Sequence, residues 1–419
     1  MRHASCMMHN KWKKNPFCQC MMKRIFYFLL TIMLCVACSD DEQFTTSSSD
    51  LLTLPDDTLK MDTVFSGRSS ATYTFWVHNR NSKALRIQNV RLRDANKGFR
   101  INVDGEYLNP TISGVEVLGG DSLLVFVELT APEAGQLEPK PVDEELHFTL
   151  ESGAEQLVKL RAWTWDAERW VDKTVSADET VATDKPILVT GTLVIEEGAT
   201  LRLEGTTLYF HDDAALVVRG TLEAEGVTLR GDRLDDMFSY LPYDHISGQW
   251  QGVRVRENAR LSMTDCDLHA AYIGLTAVEG SEVQLTRTVI HNSAGDDIFA
   301  TGASLVLDHC LLSNAEGSLL SAEKCNVVLS HCTLAQYYPF ALRDIALSLG
   351  EATTHSIEKL LIGGYEEALM SYSEGVEKIT EEAYHIAEKE DFVLIDEDNL
   401  IYDFHLKPDT KSAGFGCYE

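Results

Sequence analysis

Apolar and polar residues alternate along most of this chain, and between Ala259 and Asp344 the alternation recurs with a nearly fixed period. Four segments lie over one another: ARLSMTDCDLHAAYIGLTAVEG, SEVQLTRTVIHNSAGDDIFATG, ASLVLDHCLLSNAEGSLLSAEK and CNVVLSHCTLAQYYPFALRD, three of 22 residues and one of 20. The third column is Leu261, Val283, Leu305, Val327, and the fifth is Met263, Leu285, Leu307, Leu329. The eighth is Cys266, Thr288, Cys310, Cys332, and the tenth is Leu268, Ile290, Leu312, Leu334. The residue between each pair of columns varies, from Ser262 and Gln284 to Val306 and from Asp267 to Leu311, while the columns themselves keep their character, the period of a strand with one buried face. Each repeat is therefore expected to hold at least two short strands with a corner between them.

A unit this short cannot bury its apolar face alone, so stacked copies must share one continuous core. Coils stacked at the ordinary strand spacing of about 4.8 Å place like on like, which predicts a parallel β-helix. Upstream, Gly191-Thr192-Leu193, Gly220-Thr221-Leu222 and Gly205-Thr206-Thr207-Leu208 resemble the Gly-Thr-Leu step of the right-handed, pectin-lyase-like β-helix. That resemblance implies a solenoid over 186–419, closed by IYDFHLKPDTKSAGFG. The period breaks at RLDDMFSYLPYDHIS and resumes at Gly248. Such an insertion leaves a solenoid as a loop on one face, where binding residues often sit. Phe238, Tyr240, Tyr243 and Trp250 are the candidate ligand-binding residues, a stacking platform for a sugar ring beside Asp235, Asp236, Asp244 and His245. They serve equally as a cap on the solenoid flank.

From Leu51 to 165 the pattern shifts to short alternating runs, clearest at 71–79, 84–92, 122–129, 144–151 and 156–163, separated by turns rich in Asn, Asp and Gly. This predicts a β-sandwich. Its order of strands and turns resembles the immunoglobulin-like domains of the ASPM/SPD-2/Hydin type. Of Tyr73, Phe75 and Trp76, two are expected to face the core. The charged stretch 166–185 is expected to be a linker. The fold class is thus all-β, an N-terminal immunoglobulin-like sandwich followed by a right-handed parallel β-helix.

Residues 1–20 have no periodicity and are expected to be an upstream extension, with translation starting at Met21 or Met22. A basic head and the apolar run IFYFLLTIMLCVA then make 21–37 a signal peptide. Leu34-Cys35-Val36-Ala37-Cys38 resembles the lipobox of bacterial lipoproteins, departing from it at Cys35, and implies Cys38 as the lipidated residue. Ser39, Asp40, Asp41 and Glu42 resemble the export signal that carries lipoproteins of Bacteroidetes-type bacteria to the cell surface, with 38–50 as a tether. No later segment reads as a transmembrane helix, so the lipid is the expected attachment to the outer membrane. Asp57-Thr58-Leu59, Asp62-Thr63-Val64 and Asp121-Ser122-Leu123 resemble an O-glycosylation sequon of the same group.

Acidic residues outnumber basic ones 65 to 36. Every basic residue before Cys38 lies in a stretch without acidic ones, so the remainder is more acidic still. Such a surface disfavours nucleic acid, anionic lipid and, without a bridging cation, polyuronate. Column seven of the repeat, Asp265, Arg287, His309 and His331, offers acid–base groups or an exposed charge ladder. Column twelve, Asn292, Asn314 and Gln336, resembles an amide ladder bonded along the stack. Cys310 and Cys332 fall one rung apart with parallel side chains, which favours a buried ladder over a disulfide; Cys325 and Cys417 receive no role. No Cys/His spacing marks a zinc site and no cofactor is implied. Asp296-Asp297 resembles half of the polygalacturonase-type aspartate pattern, but the partner motifs are missing, and no complete lyase or hydrolase motif is present. The expected function is a non-catalytic glycan-binding or adhesion module of the cell surface, its partner a polysaccharide or a surface protein. The alternatives are a polysaccharide lyase or glycoside hydrolase of this fold, and a structural component of a surface assembly.

Overall fold

The computed structural model describes residues 43–55, 58–234, 243–340, 345–365 and 370–418. Cys38, the acidic signal Ser39 to Glu42, Phe238 and Tyr240 lie outside the described residues.

The first domain is two β-sheets over one core. The larger orders its strands as Leu59–Phe65, Glu155–Trp165, Lys140–Leu150, Leu85–Leu92 and Thr111–Ile112, with Val115–Val117 also paired to Leu85–Leu92. The smaller runs Tyr73–His78, Ser122–Leu129, Phe99–Val103, Glu106–Tyr107. Alternation sets the faces: Ile87, Val90, Leu146, Phe148 and Val158 from one sheet meet Val77, Val125, Val127 and Ile101 from the other, all buried. Phe75 is buried, Tyr73 half-buried, and Trp76 is 52% exposed, stacked on His78. Two of the three aromatics thus point inward, as their parity requires.

The solenoid carries three strands per coil, within the expectation of at least two, in parallel sheets of ten, nine and eight strands. Columns three and five run in register through Leu261, Val283, Leu305 and Val327, and through Met263, Leu285, Leu307 and Leu329. Column ten pairs Leu268, Ile290, Leu312 and Leu334. The additional strand of each coil, as in Leu275–Ala277, Ile298–Thr301 and Leu320–Glu323, stacks Leu275, Ile298 and Leu320. Its second inward position is alanine in each of these coils, Ala277, Ala300 and Ala322, so it does not stand out as an apolar run.

Column seven is the corner between two strands, and a single left-handed residue makes the turn: φ is +54° at Asp265, +45° at Arg287, +53° at His309 and +49° at His331. Gly205 and Gly226 hold this position in earlier coils. A left-handed non-glycine residue costs about 1–2 kcal/mol, so packing of the coils on either side imposes the corner.

The stretch 166–185, expected as a linker, is instead the first coil. Glu168–Val171, Thr174–Val175 and Glu179–Ala182 pair with the strands of the second coil. As the terminal rung it buries few side chains, Trp170 and Val175 among them, and its solvated positions carry the charges that give it a linker's composition. Only Asp166 and Ala167 separate it from the last sandwich strand. Asp166 is buried and accepts the backbone N–H groups of Ala134 and Gln136 at 3.2 and 2.8 Å. Burial raises its carboxyl pKa, but donors from Ser66 and the 134–136 backbone outweigh that and hold it below the ordinary value.

The outer face of the ten-stranded sheet is covered at both ends. At one end Phe65 and Trp165 of the sandwich pack on Leu188 and Tyr209, with Phe65 edge-on to Tyr209 at 4.8 Å. At the other, the hairpin Phe392–Asp396 and Ile401–Leu406 packs Phe392 and Phe404 over Leu311, Ala335, Tyr337 and Leu361.

Candidate functional site

The junction of sandwich and solenoid is concave. Asp62 to Phe65 and Gly67 to Ala71, with Tyr73, form one wall; His211, Asp232, Arg233 and Leu234, just past the solenoid strands Thr207–Phe210 and Thr228–Gly231, form the other. The cavity is about 360 Å³, in the range of small-ligand sites. Its polar groups are held in place by one another. His211 Nδ1 lies 2.7 Å from Asp232 Oδ2, and Arg68 Nε is 4.0 Å from the same oxygen. Arg68 also donates from Nη2 to Thr190 Oγ1 at 2.6 Å, a bond from sandwich to solenoid. Tyr73 donates its hydroxyl to Asp62 Oδ2 at 3.0 Å and accepts the Asp62 N–H at 3.1 Å. Carboxylate, guanidinium, imidazole and phenol from both domains thus converge on one hollow, with hydrogen-bonding capacity matched to hydroxyl groups.

The expected platform divides. Tyr243 is half-buried and does not line the cleft; its ring lies under the guanidinium of the wall residue Arg233 at 4.2 Å. Trp250 is no surface residue: it is fully buried, stacked on Phe210 at 4.1 Å and 13°, and its indole N–H donates to the His269 carbonyl at 2.9 Å. Where the chain re-enters the solenoid after the insertion, this ring fills the core of the coil, so its faces are closed to any ligand.

At column seven, Arg287 grips Asp265 with two bonds of 2.6 Å, and the His309 and His331 rings stack at 4.8 Å and 9°. The bonds from Arg287 hold the Asp265 carboxyl below its usual value. Asp265 and Arg287 are exposed at this corner, and His309 and His331 are half-buried. Column twelve is buried, but its amides bond to backbone rather than to one another. Asn292 Nδ2 donates to the His245 carbonyl, Asn314 Oδ1 accepts from the Tyr337 and Tyr338 N–H groups, and Gln336 donates to the Ala315 carbonyl.

The two adjacent aspartates are committed locally. Asp296 accepts the Ser318 N–H at 2.9 Å, and Asp297, wholly buried, accepts the Ser293 hydroxyl at 2.7 Å. Burial pushes the Asp297 carboxyl well above the usual range. The cysteines of column eight are free and buried, as are Cys325 and Cys417. Among the described residues two Asp/His groups bring their ligand atoms within 4.8 Å of one another: Asp267 with His269 and His291, and Asp308 with His309 and His331.

Residues 242–341 match a family model described as the right handed beta helix region. The solenoid is a right-handed parallel β-helix. No curated protein matches the chain. Among solved structures, the catalytic domain of a GH87 alpha-1,3-glucanase in complex with nigerose is similar at 10% identity over 78% of this chain and 82% of that one, TM-score 0.18. The ASH/PapD-like domain 7 of human CEP192 is similar at 10% identity over 30% of this chain and 92% of its own, TM-score 0.20. A family 123 glycoside hydrolase from Clostridium perfringens is similar at 8% identity over 30% of this chain and 27% of its own, TM-score 0.20. Likenesses this faint carry nothing about activity.

Proposed function

We propose that this chain is a surface lipoprotein that binds a neutral glycan, without cleaving it, in the cleft between its first domain and its β-helix. The observation that carries the reading is the convergence of Arg68, Asp62, Tyr73, His211 and Asp232 on one hollow. Planar polar side chains already paired with one another present fixed donors and acceptors to sugar hydroxyls without further loss of side-chain entropy. Leu234, a wall residue of the same cleft, directly precedes the stretch of sequence that carries Phe238 and Tyr240. The excess of acidic residues turns the preference away from polyanionic glycans.

Affinity electrophoresis through gels carrying neutral and acidic polysaccharides tests this, with the glycans sized afterwards. Arg68→Ala and Asp232→Asn remove charged hydrogen-bonding groups worth about 1.5–3 kcal/mol each, so retardation constants should weaken roughly 10- to 100-fold. Loss in Trp76→Ala with Arg68→Ala unaffected would move binding to the outer face of the sandwich and refute the cleft. Shortened glycans would refute the non-catalytic reading.

The lipoprotein reading rests on Leu34 to Cys38 and Ser39 to Glu42, and with it goes an immunoglobulin-like identity for the first domain, as in Bacteroidetes-type surface proteins. Cys38→Ser should release the chain from membranes. Alanine at Asp40, Asp41 and Glu42 should shield it from protease added to intact cells; unchanged surface cleavage would sink the export signal.

A further inference from the structure

Between the sandwich and the C-terminal hairpin, the middle strands of the ten-stranded sheet turn three ligand-type side chains outward. Asp267 and His269 are two apart on the strand Asp267–His269 and so share a face. His291, on the strand Val289–His291, is paired in register with His269. Both imidazoles approach one carboxylate oxygen. Asp267 Oδ1 lies 2.5 Å from His269 Nδ1 and 3.5 Å from His291 Nε2, and the two rings stack at 4.7 Å.

The surroundings decide which nitrogens are available. Asn292 Nδ2 must donate to the His245 carbonyl, 3.2 Å away, so Oδ1 of the same amide is the acceptor for His291 Nδ1 at 2.6 Å. That bond fixes the His291 proton on Nδ1 and turns the Nε2 lone pair towards the Asp267 oxygen. The two atoms, 3.5 Å apart, can share either a proton, as an imidazolium–carboxylate pair, or a metal ion. A carbonyl oxygen bonded to the far nitrogen of an imidazole is also the usual orienting contact behind a metal-ligating histidine. Independently, His269, with its side chain only 9% exposed, keeps Nε2 buried without a hydrogen-bond partner, and His245 Nδ1 is buried in the same condition. Polar nitrogens are rarely left so.

We propose that Asp267, His269 and His291 form a binding site for a divalent transition-metal cation. Their ligand atoms lie within 4.8 Å of one another. Two imidazoles and one carboxylate suit zinc, cobalt, nickel or iron(II) and discriminate against calcium and magnesium, which take mainly oxygen ligands. Three protein ligands leave further coordination positions open, and the Asp267 side chain, 40% exposed, gives an ion a path from solvent. The Asp308, His309 and His331 group lacks the buried imidazole: all three residues are only half-buried, and none of them contributes a buried nitrogen without a hydrogen-bond partner. It serves as the internal control.

Cobalt(II), titrated into the full chain and read by its visible absorption, tests the site. The expected result is one high-affinity ion per chain, with bands of nitrogen and oxygen ligation and no near-ultraviolet thiolate band. Asp267→Asn and His291→Ala should each weaken binding at least about tenfold, and Asn292→Ala should weaken it within the roughly 10- to 100-fold span of orienting contacts. His309→Ala and His331→Ala should change nothing. Thermal melts establish that each variant folds. Where one does not, nitrogen-15 shifts of the imidazoles in the wild-type chain on adding zinc give the answer, with His291 Nε2 expected to move. Binding undiminished in Asp267→Asn and His291→Ala, binding lost in His309→Ala, a thiolate band, or no spectral change at all would each overturn the proposal.

Discussion

Replacing Trp250 with alanine separates its place in the core from any part in ligand binding. Its side chain has no exposed surface, its ring lies flat on Phe210, and its N–H satisfies the His269 carbonyl. A buried indole removes about 200 Å² from water, which at about 25 cal/mol per Å² is roughly 5 kcal/mol. Compactness of the unfolded chain trims this to roughly 3–4 kcal/mol. The orphaned carbonyl adds about 1 kcal/mol, giving a total of about 4–5 kcal/mol, in line with large-to-small changes in cores. Trp250→Phe keeps the stack on Phe210 and loses mainly the hydrogen bond and part of the ring, so it should cost about 1–2 kcal/mol. Urea titration followed by circular dichroism reads both values, and glycan retardation of the phenylalanine variant should equal wild type. A cost below about 1 kcal/mol for Trp250→Ala, or lost retardation with a stable Trp250→Phe, would show that the ring is not where the packing argument puts it.

Gly252 has φ +82°, and a β-carbon there would stand 1.7 Å from the Ile273 carbonyl oxygen. Gly252→Ala should therefore destabilise by at least about 2 kcal/mol, read as a shift in the urea midpoint, and a neutral result would contradict the close approach of these coils. Burial pushes the Cys266 thiol up to about 11 and that of Cys417 up to about 12. Peptide mapping after thiol labelling should accordingly find Cys266, Cys310, Cys325, Cys332 and Cys417 unmodified in the folded protein and modified in urea, with no Cys310–Cys332 disulfide after mild oxidation. The Asp265 carboxyl, held down by Arg287, gives a contribution that is complete above the ordinary carboxylate range and is lost as pH falls through its lower folded value. Carbon-13 titration should place it below about 3.9 and show it rising in high salt, and an ordinary value in low salt would mean that the ion pair does not form.

The fold was legible wherever side chains repeat in one column. Leu261 to Val327 and Met263 to Leu329 declare the strands because each must lie on its like in the next coil, and that requirement is written into composition. The third strand was not legible, because its second inward position is Ala277, Ala300 or Ala322 in successive coils, and alanine marks a buried face weakly. The linker reading of 166–185 failed on charge: a terminal coil is solvated at positions that interior coils bury. Trp250 was misplaced because an aromatic beside an insertion looks alike in sequence whether it turns into the core or away from it. The cleft was invisible for a different reason: Asp62 and Arg68 belong to one domain, His211 and Asp232 to the other, and no local spacing joins them. Asp267, His269 and His291 were within reach. His269 and His291 share the eleventh column of adjacent repeats, and stacking by column would have set them side by side.

The first sandwich strand, Leu59–Phe65, runs parallel to Glu155–Trp165, the strand that leads into the solenoid. A pull applied ahead of Leu59 against a load on the solenoid draws these two strands past each other lengthwise. The rungs from Leu59 and Leu160 to Phe65 and Trp165 then bear the force together instead of opening one at a time. The same pairing that completes a sheet makes the first domain a shear clamp, so under tension it should yield at a much higher force than if it were peeled from one end.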